Sequence, residues 1–247
     1  MCIRDRAWFR QEVRDLFNFL LPPACALCLE PLSPPDPDLF CPNCTNQLPQ
    51  LETPCCPVCA LPYPAESGND HHCQSCLLEK RTTFTEVIAL GPHQGLLRDA
   101  VHRFKYRNDI NLDRPLGNML AGKLREADQA IDLIVPVPLH RKKLAGRGYN
   151  QSALIARQIS KTLNLPMSTG LLSRTSQGAT QKEMGARDRS RNVRGLFSCS
   201  HKLQKKQLLL VDDVMTTGAT ARECARTLLS AGAASVRVAI LSRAPLA

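Results

Sequence analysis

The run Leu209-Leu210-Val211-Asp212-Asp213-Val214-Met215-Thr216-Thr217-Gly218-Ala219-Thr220 decides how this chain folds. Residues 208–211 are apolar without interruption, as in a short strand buried on both faces. Two adjacent carboxylates follow at the strand's carboxyl end, where ligands sit in open α/β sheets. The chain must then turn into a helix through a run of small and hydroxylated residues. Such a turn can aim several backbone N–H groups at one point, and the positive end of the helix adds to them. Hydroxyls of Thr216, Thr217 and Thr220 supply further donors, and Gly218 permits close approach. The predicted product is a cradle for a phosphate monoester built from Thr216, Thr217, Gly218, Ala219 and Thr220. Asp212 and Asp213 would face a sugar diol, or a metal bridging that diol to other oxygens. Helix capping would explain one such residue, but neither the paired aspartates nor five small residues in succession.

From about residue 82 the whole texture fits this reading. Strands are expected at 84–90, 131–137, 208–211 and 236–241, and helices at 96–107, 116–127, 150–163 and 219–231. Strand, crossover helix and strand recur, so the fold class is α/β, a parallel sheet with helices on its faces. Residues 139–149 read as a basic loop. The stretch 175–197 lacks sustained periodicity and is long, which suggests a loop or lid. No repeat and no low-complexity tract stands out.

The 247 residues, 43% of them hydrophobic, suffice for one sizeable domain and a small second one. The formal charge of +10 is unevenly spread: residues 1–80 carry five Lys/Arg against ten Asp/Glu, and residues 81–247 carry 27 against 12. A basic second part favours polyanionic company: nucleic acid, an acidic lipid surface or a multiply phosphorylated ligand. No run approaches the roughly 20 apolar residues that span a bilayer. Charges at Arg4, Asp5, Arg6, Arg10, Glu12, Arg14 and Asp15 also break any secretory leader. A cytoplasmic protein is expected, with residues 1–21 forming an N-terminal amphipathic helix.

Two further basic stretches accompany the acid pair. Residues Ile134-Val135-Pro136-Val137-Pro138 end a strand in a tight turn, and Arg141, Lys142, Lys143 and Arg147 follow. Several cations close together suit a diphosphate. Downstream lie Thr180, Gln181, Arg187, Arg189, Arg191, Asn192 and Arg194. A basic lid there would exclude water and screen the charge on a departing diphosphate. The stretch 209–220 resembles the 5-phosphoribosyl 1-diphosphate (PRPP) motif of type I phosphoribosyltransferases. The stretch 134–152 resembles the signature of the ComF family, the competence-associated, GntX-like branch of that fold. The resemblance implies that Asp212 and Asp213 contact the ribose hydroxyls and that the Thr-Gly turn grips the 5′-phosphate. It also implies that Val137, Pro138, Arg141, Lys142, Lys143 and Gln181 help to hold PRPP with Mg2+, and that Arg189 lies on a flexible catalytic loop.

Ten of the twelve cysteines precede residue 77, eight of them in the pairs Cys25/Cys28, Cys41/Cys44, Cys56/Cys59 and Cys73/Cys76. Cys-x-x-Cys is zinc-knuckle spacing, and eight thiolates make two tetrahedral sites. In a cytosolic chain the pattern favours metal over disulfides. Similar intervals between pairs leave sequential and interleaved pairing open; sequential pairing is preferred. Sites closed by four thiolates have no open position for water, so the two Zn2+ are expected to be structural. The module resembles the double zinc ribbon at the front of ComF-like proteins. The expected organisation is a helix at 1–21, a double zinc ribbon at 22–80 and a phosphoribosyltransferase-like domain at 81–247.

Two functions follow. One is phosphoribosyl transfer to an unknown acceptor: diphosphate leaves C1 of the ribose and a nucleophile adds there. Purine-salvage members of the fold carry an Asp where this chain has Thr216, which argues against a typical purine acceptor. The other, implied by the ComF resemblance, is a non-catalytic PRPP-sensing adaptor for single-stranded DNA or DNA-uptake proteins. Aromatic residues make up only 4% of the chain, so backbone contact would dominate such binding.

Overall fold

A computed structural model describes residues 23–32, 40–64, 66, 68–79, 83–128, 130–174 and 195–245. The helix expected at 1–21 lies outside them. The chain separates into two compact units, one ending at Gln47 and the other beginning at Leu48.

In the first unit a knuckle at Cys25–Cys28 is closed by an antiparallel bridge between Ala24 and Pro31. Its backbone returns through Cys25 N–H to Glu30 O (2.8 Å) and Leu29 N–H to Cys25 O (2.9 Å). Helix α1 (Pro42–Gln47) carries Cys44. The same hairpin opens the second unit: Cys55 bridges Pro62, Cys56 N–H bonds Leu61 O (2.9 Å), and Ala60 N–H bonds Cys56 O (2.8 Å). Helix α2 (Gln74–Leu78) carries Cys76. The ribbon is thus a repeated structure of two hairpin-and-helix halves, although little beyond the cysteines recurs in sequence.

The rest of the second unit is built on four parallel strands: β1 (Val87–Pro92), β2 (Leu133–Pro136), β5 (Gln207–Met215) and β6 (Ser235–Arg243), in the order β1-β6-β5-β2. Helices α3 (Gly95–Tyr106), α4 (Asp113–Glu126), α6 (Gln151–Leu163) and α7 (Ala219–Ser230) cover them. Successive strand residues point to opposite faces. Leu208, Leu210, Val236, Val238 and Ile240 share a core with Cys224, Ala225 and Leu228 of α7. The alternate residues Leu209, Val211, Ala239 and Leu241 are also fully buried, as are Phe104 of α3, Leu120 of α4 and Ile159 of α6. Every strand is therefore apolar at consecutive positions, as a sheet covered on both faces demands.

The core on the α7 side also contains Cys56, Cys59, Cys73 and Cys76, so the second ribbon is packed into the sheet domain. Gly91 of β1 shows how tight that packing is. A Cβ there would lie 2.0 Å from the carbonyl oxygen of Pro49.

Two features differ from the sequence reading. Residues 141–147, within the stretch expected to be a basic loop, form helix α5 (Arg141–Arg147). Two short antiparallel strands, β3 (Leu172–Arg174) and β4 (Phe197–Cys199), flank the long segment between them, pairing Arg174 with Phe197.

Candidate functional site

The acid pair stands where β5 outruns its neighbour. β2 pairs with β5 only as far as Pro136 opposite Val211, whereas β5 continues against β6 to Met215. From Asp212 onward, one edge of β5 has no strand beside it among the described residues. Val137 N–H makes the last contact, 2.9 Å from Val211 O, before the chain leaves through Pro138.

Asp212 Oδ1 accepts from Ser152 Oγ and from the amide of Asp213, both at 2.9 Å. Asp213 Oδ1 meets Lys105 Nζ of α3 at 2.9 Å, both side chains largely buried. Burial and the adjacent Asp213 carboxylate push Asp212 up to about 7, although bonds from Asp213 N–H and Ser152 and the charge of Lys105 pull the other way. Part of its surface still meets solvent, so a ligand can reach it.

An unfolded Asp titrates near 3.9. Asp212 therefore holds its proton more tightly in the fold, and its stabilising contribution drains away as pH rises through about 7. Asp212→Asn keeps an acceptor for both donors and never ionises. It is expected to raise thermal stability by about 1–2 kcal/mol above pH 7 and by little near pH 4. Melting curves of both proteins across that range check the sign.

At the turn after β5, Gly218 has φ 77° and forms the N-terminal boundary of α7. The left-handed conformation requires glycine, and a Cβ would lie 2.7 Å from Arg222 Nη1. Ala219 N–H reaches Thr217 Oγ1 at 3.4 Å. Among the described residues, the amides of Thr217, Gly218 and Thr220 donate to no group of the chain. Thr216 and Thr217 are exposed and Ala219 and Thr220 half-buried. The turn therefore offers free donors at the first turn of a 12-residue helix.

Arg141, Lys142 and Lys143 occupy the exposed first turn of α5, capped by His140, whose Nδ1 accepts from Lys142 N–H at 3.2 Å. Asn150 caps α6 and donates from Nδ2 to Val137 O at 3.0 Å, tying that helix to the end of β2. Arg147 lies over the ring of Tyr106, 4.9 Å from its centroid, and donates to Gln151 Oε1. Strand direction thus brings Val137, Pro138, Asp212, Asp213 and the 216–220 turn to one end of the sheet. Gln181 and Arg189 lie outside the described residues, as do Arg187, Arg191, Asn192 and Arg194.

Lys105 and Ser152 are the partners that sequence reading missed, and only their long-range contacts reveal them. His93 is a third. Its Nδ1 lies 2.8 Å from Ser242 Oγ, and burial, then the charges of Lys105 and Arg98, lower its pKa. With Arg98, His102, Lys105 and Tyr106 it lines a cleft of about 510 Å³.

The cysteines gather sequentially, Cys25, Cys28, Cys41 and Cys44 in one cluster and Cys56, Cys59, Cys73 and Cys76 in the other. Within each cluster all sulfurs lie within 4.8 Å of one another. The Cys28–Cys41 and Cys59–Cys73 sulfurs are 3.6 Å apart. A disulfide would need about 2.05 Å, whereas zinc at about 2.3 Å from each sulfur sets them about 3.8 Å apart. Amides of Cys41 and Cys73 point at the sulfurs of Cys25 and Cys56 (3.3 and 3.4 Å), favouring thiolates. The donor sets fit two zinc ions in closed sites. No disulfide joins any of the described cysteines, and Cys55, His71 and His72 stand outside both clusters.

The double zinc ribbon domain family matches residues 16–77, and the phosphoribosyl transferase domain family matches residues 149–245. The chain is 31% identical to the DNA utilization protein YhgH of Escherichia coli strain K12, over 90% of this chain and 98% of that one. It is 29% identical to Competence protein F of Haemophilus influenzae, over 83% and 96% of the two chains. With Competence protein ComFC of Bacillus subtilis it shares 24% identity over 95% and 91%.

Proposed function

The chain belongs to the ComF family, joining a double zinc ribbon to a phosphoribosyltransferase domain, and from that premise we propose that it binds PRPP with Mg2+ at residues 212–220. One observation carries the proposal. The acid pair lies on the open edge of β5, directly before a turn whose free amides stand at a helix N-terminus.

In this reading Asp212 and Asp213 accept from the ribose hydroxyls, and Thr216, Thr217, Gly218, Ala219 and Thr220 bind the 5′-phosphate. Val137, Pro138, Arg141, Lys142 and Lys143 surround the diphosphate, and Gln181 and Arg189 join from the segment between β3 and β4. Binding the remote phosphates supplies orientation for chemistry at C1. The C1–O bond to diphosphate breaks, diphosphate keeps the electron pair, and an acceptor nucleophile forms the new bond. Thr216, in place of an acid, disfavours a purine acceptor. The setting is the handling of DNA, in keeping with the names of the relatives, and the compartment assigned in this reading is the cytoplasm. Among the described residues no helix is long and apolar enough to cross a membrane.

Calorimetry with PRPP and Mg2+, beside ribose 5-phosphate as the truncated ligand, tests the site. PRPP is expected to bind at least 10-fold more tightly than ribose 5-phosphate and to raise the melting temperature. No heat and no thermal shift with PRPP would remove the reading.

A second reading, a non-catalytic PRPP sensor that holds single-stranded DNA or DNA-uptake proteins, draws on Tyr106. Tyr106 is 62% exposed, with the Arg147 guanidinium against its ring and His102 alongside. An aromatic face beside cations suits a stacked base.

A further inference from the structure

Two arginines lie between the second cysteine cluster and the phosphate turn. Arg243 ends β6 and is 2% exposed. Its Nε donates to Cys59 O (2.8 Å) and its Nη2 approaches Cys59 Sγ (3.8 Å). Nη1 of the same guanidinium donates to Met215 O (3.1 Å) and Thr216 O (2.5 Å). Arg222, in the first turn of α7, repeats the arrangement. Nη2 points at Cys76 Sγ (3.7 Å), Nε pairs with Glu79 (3.0 Å), and Nη1 donates to Thr217 O (2.7 Å). Three consecutive carbonyls, those of residues 215–217, are therefore held from behind by cations that also grip one cysteine from each half of the second cluster.

The geometry of the peptide bond gives this a consequence. In a trans peptide the C=O of one residue and the N–H of the next point in opposite directions. Drawing the oxygens of Met215, Thr216 and Thr217 toward the ribbon turns the amides of Thr216, Thr217 and Gly218 the other way, out of the turn. Electrostatics supports the same coupling. Four thiolates around Zn2+ would leave a net charge of about −2, which the two guanidiniums offset in part, since Glu79 takes a share of Arg222.

We propose that the second zinc site positions the phosphate turn through Arg222 and Arg243, so that the turn presents its amides to an anion only while that site is intact. Both arginines are positioning residues. The proposal rests on the phosphate reading of the turn for its effect on PRPP, but its structural half stands apart from that reading.

The test uses the full zinc-loaded chain, Arg222→Gln, Arg222→Lys, the pair Cys73→Ser with Cys76→Ser, that pair combined with Arg222→Gln, and Arg125→Gln as a charge-matched surface control. The first readout is hydrogen exchange at the Arg222 amide, which bonds Gly218 O at 2.9 Å. The second is PRPP affinity with Mg2+. Arg222→Gln and the cysteine pair are each expected to speed exchange at least 10-fold and to weaken PRPP binding at least 10-fold. Arg222→Lys should recover part of both losses, and Arg125→Gln should change neither. Adding Arg222→Gln to the cysteine pair should bring little further loss, the non-additivity that marks one pathway. Unchanged exchange in a folded Arg222→Gln protein, or fully additive effects, would overturn the proposal. Faster exchange in a chain whose wild type ignores PRPP would uphold the coupling and refute the ligand.

Discussion

Replacing Asp212 and Asp213 together with Asn is expected to weaken PRPP binding at least 100-fold while the chain stays folded. A hydrogen bond to a charged group contributes about 1.5–3 kcal/mol, and the two carboxylates are assigned one ribose hydroxyl each. The fold should tolerate the change. Asn at 212 still accepts from Ser152 Oγ and the Asp213 amide, and it removes an ionisation that burial disfavours above pH 7. The opposing cost falls on Lys105, which loses its partner at 213. Calorimetry gives the affinity and a thermal melt gives the control. A folded double variant that binds PRPP within about 3-fold of wild type would end the ribose assignment. If PRPP binding is lost while DNA-related function survives, catalysis is not the role of the site.

Metal removal should have the other large effect. Among the described residues of the first unit, the buried side chains are Cys25, Leu32, Phe40, Cys41 and Cys44, three of them metal ligands. Two apolar residues cannot hold such a segment once the thiolates lose their ion. An apparent binding energy of about 10–16 kcal/mol for a structural zinc is then folding energy. We expect two zinc ions per chain by elemental analysis. Chelation should release both and abolish amide protection across residues 23–32 and 40–47. Persistent protection after complete zinc loss would show that the ribbon folds by other means.

How much of this was visible in the residues depends on range. Helix α6 was expected at 150–163 and runs Gln151–Leu163, because its apolar spacing and the Asn150 cap are local signals. The strand expected at 208–211 runs from Gln207 to Met215, since paired aspartates disguise a strand whose partner is β6. Helix α5 went unread because none of its residues is buried, so it has no apolar stripe. Strands β3 and β4 span three residues each, too few for alternation to register.

At the site, the acid pair, the Thr-Gly turn and the cysteine pairs were all legible as contiguous motifs. Lys105, Ser152, Arg222 and Arg243 were not. Their roles come from neighbours far away in the chain, and nothing near them marks an arginine at the end of an apolar strand as a tether.

The burial of Arg243 limits how this protein can be taken apart. A fragment starting at residue 81 would remove Cys59 from one guanidinium, and Cys76 with Glu79 from the other. A cation left beneath the turn without its counter-charge costs several kcal/mol. Starting at Leu48 keeps both arginines supplied. The latter ribbon is therefore no exchangeable cassette, and a lineage that discarded it would have to rebuild the turn at residues 215–218 at the same time.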